Sequence, residues 1–167
     1  MERVYLTVGE VLQIHHQQID DYGGAHGLRD KGLLESAVFR PQIGYYNNIA
    51  EEAAAPMESL ANNRPFLDGN KRVAFAAAHT FLLVNGFDVE VKPLEAYEFM
   101  MQSIAKGEFR FGPILEWINN HICKNSCRGR RTLGRKQYIR RVTGYENPAT
   151  ETRVAELFLH RNRRQEL

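Results

Sequence analysis

The stretch that decides the fold runs from Asn62 to Arg72 and reads N-N-R-P-F-L-D-G-N-K-R. Pro65, Asp68 and Gly69 are turn-forming residues, and a long apolar helical pattern begins directly after them. The first backbone N–H groups of a helix have no acceptor within the helix, and they attract anions. The sequence therefore predicts a turn at the start of a helix that binds phosphate groups.

The side chains around this turn strengthen the phosphate hypothesis. Asn70 offers an amide donor. Lys71 and Arg72 place two cations in the first helical turn, where positive charge is unfavourable unless an anion binds there. Asp68 supplies a carboxylate of the kind that holds a magnesium ion against phosphate oxygens. We expect a polyphosphate, with its metal ion, to be the ligand of this turn.

Length and composition indicate one globular domain with room for a small additional segment. The chain has 167 residues, of which 43% are hydrophobic and 25% are charged. It contains no apolar run of about 18 residues, so no membrane span is expected. The first twenty residues lack the basic head and apolar core of a secretory signal. We therefore expect a cytoplasmic protein that does not contact a membrane.

The charge distribution divides the chain near Cys123. Residues 1–123 carry 10 basic and 16 acidic residues, a net charge of −6, whereas residues 124–167 carry 12 basic and 4 acidic residues, a net charge of +8. We interpret residues 1–123 as the folded domain and residues 124–167 as a basic C-terminal extension. Within the extension, Asn147 and Pro148 are typical of a helix start and predict one short helix.

Capping signals predict two amphipathic helices near the N-terminus. Thr7 and Glu10 form a Thr-x-x-Glu capping box, and the helix that they start should end at Gly23. Asp30 is placed to cap a second helix, which Pro41 should end. Both helices have an apolar face, which indicates that they pack in a core.

The middle of the domain predicts longer helices. Residues 49–61 favour a helix that Pro56 should kink or restart. Residues 73–84 are almost wholly apolar, which predicts a buried central helix that ends at Asn85. Further along, the pattern predicts a brief extended segment and two more helices, at residues 87–91, 94–105 and 111–122. The expected fold class is all-α.

The central stretch resembles the signature of the Fic/Doc superfamily in its death-on-curing (Doc) branch, whose pattern is His-x-Phe-x-Asp-Gly/Ala-Asn-Lys-Arg. Six positions match in register: Phe66, Asp68, Gly69, Asn70, Lys71 and Arg72. One position departs from the pattern, because Arg64 stands where the family has its catalytic histidine. Further matching segments, such as Tyr22-Gly23-Gly24 and Arg40-Pro41-Gln42, extend the resemblance over residues 5–122. The resemblance implies the compact, all-helical Fido fold.

The resemblance also implies a function. Members of the Doc branch are toxins of type II toxin–antitoxin systems, and they use ATP and Mg²⁺ to phosphorylate a protein. Fic proteins that transfer AMP have glycine at the position of Lys71, whereas a lysine there resembles the arrangement that transfers the γ-phosphate. The implied target is a hydroxyl of translation elongation factor Tu, and the implied outcome is arrested protein synthesis. A small antitoxin is the implied partner.

Roles for individual residues follow from the same resemblance. The nucleotide phosphates are expected to contact Gly69, Asn70, Lys71 and Arg72. Asp68, Lys71 and Arg72 are expected at the catalytic centre, with Asp68 as the magnesium ligand. At position 64 the family's histidine accepts the proton of the target hydroxyl. Arg64 cannot do so, because a guanidinium stays protonated and has no acceptor atom. We therefore expect an impaired or inactive enzyme.

Arg64 leaves three explanations open. It is a selected or engineered knock-out that lets cells tolerate a toxin, which we favour, or it marks a natural pseudo-enzyme, or the base comes from elsewhere in the chain. Two other function classes also stay open. One is an AMP-transferring Fic enzyme, which Lys71 disfavours. The other is a catalytically dead regulator that binds nucleotide, or nucleic acid through the basic residues 124–167.

Three further features carry weaker signals. Cys123, Cys127 and His121 lie close in sequence, but they lack the second ligand pair of a zinc site, so two free thiols are expected. His79 lies in an apolar helix and is expected to be a hydrogen-bonded core histidine rather than a base. The segment at residues 42–48 is expected to be a surface loop, which the resemblance likens to the flap that lines the family's target groove.

Overall fold

The computed structural model describes residues 3–124, and helices dominate this part of the chain. The α-helices are α1 (Val8–Tyr22), α2 (Lys31–Phe39), α3 (Ile49–Asn63), α4 (Asn70–Val84), α5 (Pro93–Ala105) and α6 (Phe111–His121). A 3-10 helix spans Arg40–Gln42, and two short strands, β1 (Phe87–Val89) and β2 (Ile122–Lys124), pair antiparallel. The predicted all-α fold class is confirmed.

Local capping sets the start of the first two helices as the sequence predicts. The Thr7 side chain accepts a hydrogen bond from the Glu10 N–H, and the Glu10 carboxylate accepts one from the Thr7 N–H at 2.7 Å. The Asp30 carboxylate accepts from the Leu33 N–H at 2.9 Å and starts α2. These bonds satisfy N–H groups that have no acceptor within the helix. Each such cap contributes about 1 kcal/mol.

The helices α3 and α4 form the centre of the bundle, with α1 packed against α4 and α6 packed against α3. Both central helices bury small side chains, which allows the two helix axes to approach closely. The buried alanines of α3 and α4 include Ala50, Ala53, Ala54, Ala61, Ala74, Ala77 and Ala78. The predicted buried central helix is therefore confirmed as α4, and α3 is its main partner.

Pro56 lies inside α3, which runs as one helix from Ile49 to Asn63, so of the kink or restart expected at Pro56 the restart does not occur. A proline inside a helix removes one hydrogen bond and clashes with the preceding turn, at a cost of about 3 kcal/mol. The residues that follow it, Met57 and Leu60, are almost fully buried. Burial of one such side chain contributes about 1.5–3 kcal/mol. Packing on both sides of Pro56 therefore keeps α3 as one helix.

The last elements differ slightly from the sequence prediction. The extended segment after α4 is confirmed as β1, but α6 ends at His121, and Ile122 begins β2 instead of ending the helix. In the strand pair, Asp88 lies opposite Cys123. Strand pairing joins residues that are far apart in sequence, so the helical period of this region does not reveal it. The expected domain boundary at residue 123 falls within β2.

The histidines near this strand pair make hydrogen bonds within the bundle. His79 Nε2 lies 2.9 Å from Asp88 Oδ1, so the predicted hydrogen bond is present, but the His79 side chain is 34% exposed and the predicted core position is wrong. His121 Nδ1 donates to the Trp117 carbonyl at 2.7 Å. Within residues 3–124, no group of three His, Cys, Asp or Glu side chains is arranged to hold a metal ion. Cys127 lies outside the described residues.

No helix within the described range is long and apolar enough to cross a bilayer. The short helix predicted after Asn147 lies outside that range.

The segment expected to form a surface loop is irregular after the 3-10 helix, and Tyr45 in it is 81% exposed. The Tyr46 hydroxyl accepts a hydrogen bond from Arg40 Nε at 3.0 Å, which ties this segment to the end of α2.

Candidate functional site

Residues 64–69 connect α3 to α4, and we call this connection the motif loop. The segment between α1 and α2 holds it from one side. The Pro65 carbonyl accepts hydrogen bonds from the backbone N–H groups of Arg29 at 2.7 Å and Asp30 at 3.0 Å. These hydrogen bonds join backbone atoms only, so they position the motif loop independently of its side chains.

Arg64 ends α3 in the left-handed conformation, with φ 51° and ψ 61°. Within residues 3–124 it is the only residue other than glycine with a positive φ. The left-handed conformation costs most L-residues about 1–2 kcal/mol, whereas asparagine, aspartate and histidine adopt it several-fold more often. Position 64 therefore has a backbone that suits histidine better than arginine. The Arg64 side chain is exposed to solvent.

The first turn of α4 presents N–H groups that no side chain caps. Gly69 is the N-cap residue, with φ 76°, and it makes no side-chain cap hydrogen bond. Val73 is the first residue of the helix whose N–H reaches a carbonyl of the loop, that of Gly69, at 2.9 Å. The backbone N–H groups of Asn70, Lys71 and Arg72 belong to the uncapped turn. This is the arrangement in which helices bind anions.

Lys71 and Arg64 concentrate positive charge near this turn. Lys71 is half-buried, and its Nζ lies 3.9 Å from Met101 Sδ on α5. Burial lowers the pKa of the Lys71 ammonium, and the positive charge of Arg64 lowers it further. The two cations are therefore close enough to repel each other, and an anion bound between them would relieve that repulsion.

The side chains of Asn70 and Arg72 bond to backbone groups. Asn70 Oδ1 accepts from the Phe66 N–H at 2.9 Å, and Asn70 Nδ2 donates to the Phe66 carbonyl at 3.0 Å. Arg72 donates to the carbonyls of Gln18 at 3.1 Å and Gly23 at 2.9 Å, and its side chain is only 14% exposed. Both residues thus hold the motif loop and α1 in place, which sequence analysis did not predict. Their contact with phosphates stays a prediction.

Asp68 carries an accessible carboxylate beside the first turn of α4. Its side chain is 50% exposed, and its Oδ1 lies 3.9 Å from Arg72 Nη2. The same oxygen accepts a hydrogen bond from the Gly69 N–H at 2.6 Å. Gly24 approaches Asp68 so closely that a Cβ at position 24 would collide with Oδ2. Magnesium is commonly held by one or two carboxylates together with substrate phosphates, and Asp68 fits that pattern.

His15 belongs to the site, although sequence analysis did not single it out. It lies on α1 beneath the motif loop and is 2% exposed. Its ring stacks on Phe66 with the centroids 4.0 Å apart, and its Nε2 donates to the Asp68 carbonyl at 3.1 Å. The only sequence signal was its place on the apolar face of α1, which a core histidine shares. Because 53 residues separate His15 from Asp68, no local pattern connects them.

Comparison with known proteins assigns this arrangement to a family. The Fic/DOC family, as a sequence model, matches residues 5–82. Toxin Doc from Mycolicibacterium smegmatis is 46% identical over an 80-residue alignment, and the match covers 41% of this chain and 62% of that protein. Protein kinase doc from Escherichia phage P1 is 31% identical over a 93-residue alignment, and the match covers 53% of this chain and 74% of that protein. The chain thus spans less than two thirds of the mycobacterial relative.

The matched part of the chain is the part that builds the candidate site. Residues 5–82 contain α1 with His15, the motif loop and nearly all of α4. The phage protein is matched over about three quarters of its own length. With the Doc signature in register and Arg64 in place of its histidine, the chain belongs to the Fic/DOC family, in its Doc branch.

Proposed function

We propose that this chain is a Doc-type toxin whose kinase activity Arg64 silences. The proposed reaction transfers the γ-phosphate of ATP to a hydroxyl of translation elongation factor Tu and so arrests protein synthesis. The observation that carries the proposal is the uncapped first turn of α4, with Lys71 and Asp68 beside it, directly behind a Doc motif loop. The relatives named Toxin Doc and Protein kinase doc support it.

The first turn of α4 offers the groups that nucleotide phosphates require. Its backbone N–H groups and the Lys71 ammonium would bind the phosphate oxygens. The positive φ of Gly69, and an Ile19 Cδ1 only 3.0 Å from where a Cβ would stand, keep this position free of a side chain. The absence of a side chain at Gly69 thus leaves room for Ile19 of α1 to pack against the start of α4. Asp68 would hold Mg²⁺, which neutralises phosphate charge when it is bound.

Asn70 and Arg72 support this turn from behind. A direct contact between Arg72 and a phosphate would require its guanidinium to give up the Gln18 or Gly23 carbonyl, or to use its remaining N–H groups. Asn70 would likewise have to release Phe66. We propose that the main role of both residues is to hold the loop. Any contact with the nucleotide would then be made by their N–H groups that are not used in these hydrogen bonds.

Arg64 accounts for the loss of turnover. A general base contributes about 10²–10⁴ to a reaction rate, and a guanidinium cannot serve as one. The exposed Arg64 side chain adds a permanent positive charge near Lys71, which favours phosphate binding. We therefore propose a protein that binds ATP and transfers its phosphate slowly or not at all. A knock-out tolerated by the host cell would have these properties.

The class of reaction is tested by following the label on each phosphate of ATP. The Arg64→His protein is incubated with magnesium, purified elongation factor Tu, and ATP labelled at either the α or the γ position. Transfer of the γ label alone supports the kinase. Transfer of the α label would instead establish the AMP transferase of the Fic type. If neither label is transferred while the protein remains folded, the enzyme proposal is wrong.

The proposed partner is a small antitoxin, which the restored toxin would require. Expression of the Arg64→His protein in bacterial cells is expected to arrest growth, whereas the unchanged chain is expected to be tolerated. Co-expression of the antitoxin should relieve the arrest. Normal growth of cells that accumulate folded, phosphate-transferring Arg64→His protein would contradict the toxin proposal without affecting the kinase proposal.

A further inference from the structure

We propose that His15 is a positioning residue for Asp68. Its ring supports the motif loop at two points and thereby fixes the direction of the Asp68 carboxylate and of the N–H groups beside it. The inference rests on the proposed function for what the loop binds. The effect of His15 on the loop itself rests only on contacts within the described residues.

The two contacts of His15 lie on either side of Leu67. The ring stacks nearly parallel on Phe66, with an interplanar angle of 5°, and Phe66 is 1% exposed. The Nε2 atom donates to the Asp68 carbonyl at 3.1 Å. Leu67 itself is 60% exposed. The loop therefore turns Leu67 towards solvent and contacts the His15 ring through Phe66 and Asp68. One buried side chain thus contacts the loop on both sides of Leu67, whose own N–H donates to the Gly27 carbonyl at 3.0 Å.

The hydrogen bond to Asp68 reaches the carboxylate through a single peptide plane. The Asp68 carbonyl and the Gly69 N–H belong to the same planar unit, so holding one sets the direction of the other. The Gly69 N–H donates to Asp68 Oδ1 at 2.6 Å. Because glycine adopts positive and negative φ with similar ease, this plane would otherwise rotate readily. His15 keeps it in the orientation in which Gly69 holds the carboxylate.

The stacking and the hydrogen bond both support the loop, and few side chains combine them. Phenylalanine at position 15 would stack on Phe66 but would offer no donor to Asp68. Glutamine would offer an N–H donor but no ring. A carbonyl oxygen only accepts hydrogen bonds, so the neutral His15 ring must carry its hydrogen on Nε2. The proposal therefore specifies one tautomer of one histidine.

The test compares His15→Phe with His15→Gln in the full chain, and His16→Gln serves as the control because His16 is exposed on the same helix. Amide hydrogen exchange at Gly69 reports the peptide plane, and calorimetry reports the affinity for magnesium-bound ATP. His15→Phe is expected to speed exchange at Gly69 about tenfold and to weaken ATP binding by a similar factor, which is the effect of one lost hydrogen bond. His15→Gln should restore most of the protection, and His16→Gln should change neither quantity.

A merely structural role would give a different pattern. If His15→Phe leaves exchange at Gly69 unchanged, or raises it only together with every other core amide, the positioning role is wrong. In the Arg64→His background, the proposal predicts that His15→Phe raises KM for ATP and lowers kcat, because both the phosphate site and the carboxylate shift. A kcat and KM that both stay unchanged would also contradict it.

The unchanged protein offers a test that needs no variant. Nitrogen-15 NMR distinguishes the two neutral tautomers of His15, and the proposal requires hydrogen on Nε2 at pH 7. Hydrogen on Nδ1 alone would overturn it. If this chain fails to bind ATP at all, the proposed function is wrong, whereas the exchange and tautomer measurements still decide the role of His15.

Discussion

At the scale of single residues, position 64 combines a strained backbone with an unfavourable charge. Arg64 adopts φ 51°, and it lies near enough to Lys71 to lower the pKa of that side chain. Neither the left-handed backbone of Arg64 nor its repulsion from Lys71 stabilises the folded protein in the absence of a ligand. Both suit a position at which histidine, rather than arginine, is the residue that the motif loop accommodates. We propose that this one residue both strains the motif loop and withholds the base that the family's histidine would supply.

Relief of this strain is a measurable prediction. Arg64→Asn and Arg64→His should each raise the free energy of unfolding by about 1 kcal/mol, because both residues adopt the left-handed conformation more readily. The midpoint of thermal unfolding should rise by about 2–4 °C. Lys106→Asn is the control, since Lys106 ends α5 with φ −83° and has no such strain. A lower midpoint for both Arg64 variants would contradict the account.

The buried His15 predicts how stability depends on pH. Burial lowers the pKa of His15, and the hydrogen bond to Asp68 opposes this effect, while the nearby charges of His16, His26 and Arg72 lower the pKa further. With the folded pKa below the unfolded value of about 6.5, the unfolded chain binds more protons, so stability falls as the pH decreases below that value. His15→Gln should reduce this loss between pH 7 and pH 5. Denaturant unfolding measures it, and a steeper loss in the variant would contradict the assignment.

At the scale of elements, Arg72 links the centre of the bundle to the end of α1. Its guanidinium donates to two carbonyls at that end, and burial lowers its pKa while Asp68 partly offsets this effect. Planar arginine makes such paired contacts in a way that lysine cannot. These hydrogen bonds join the first turn of α4 directly to the C-terminal end of α1.

Arg72→Lys is therefore expected to destabilise the protein even without nucleotide. Loss of at least one charged hydrogen bond should lower the free energy of unfolding by about 1.5–3 kcal/mol. Arg110→Lys is a matched control, because Arg110 also donates to a carbonyl, that of Gly107 at 3.3 Å, but is exposed. Chemical denaturation of both variants provides the measurement. Equal stability of Arg72→Lys and the unchanged chain would show that this contact contributes nothing.

The elements also show which features a sequence can reveal. The capping box at Thr7 and the cap at Asp30 were predictable, because a cap involves residues only three positions apart. The pairing of β1 with β2 and the contact of His15 with the motif loop were not, because each joins distant segments. The orientation of Arg72 was hidden for the same reason, since its partners lie on α1. Contacts between residues close in sequence determine where the helices begin, whereas contacts between distant segments determine the geometry of the candidate site.

At the scale of the whole molecule, residues 1–123 carry a net charge of −6 and residues 124–167 a net charge of +8, from which the sequence predicts a folded domain followed by a basic extension. The described residues end at Lys124 with strand β2, which pairs with β1 and so belongs to the bundle. Truncation after Lys124 should leave a cooperatively unfolding domain with a thermal midpoint within a few degrees of that of the full chain. Loss of the cooperative transition would show that residues 125–167 are part of the folded unit.

We propose that one residue, Arg64, separates this chain from an active Doc kinase. The direct measurement is the rate of γ-phosphate transfer from ATP to elongation factor Tu, with magnesium, by the unchanged chain, Arg64→His and Arg64→Gln. Arg64→His should exceed the other two by about 10²–10⁴, because only histidine supplies a base and Arg64→Gln removes the charge alone. Equal rates for Arg64→His and Arg64→Gln, with both proteins folded and bound to ATP, would contradict the account.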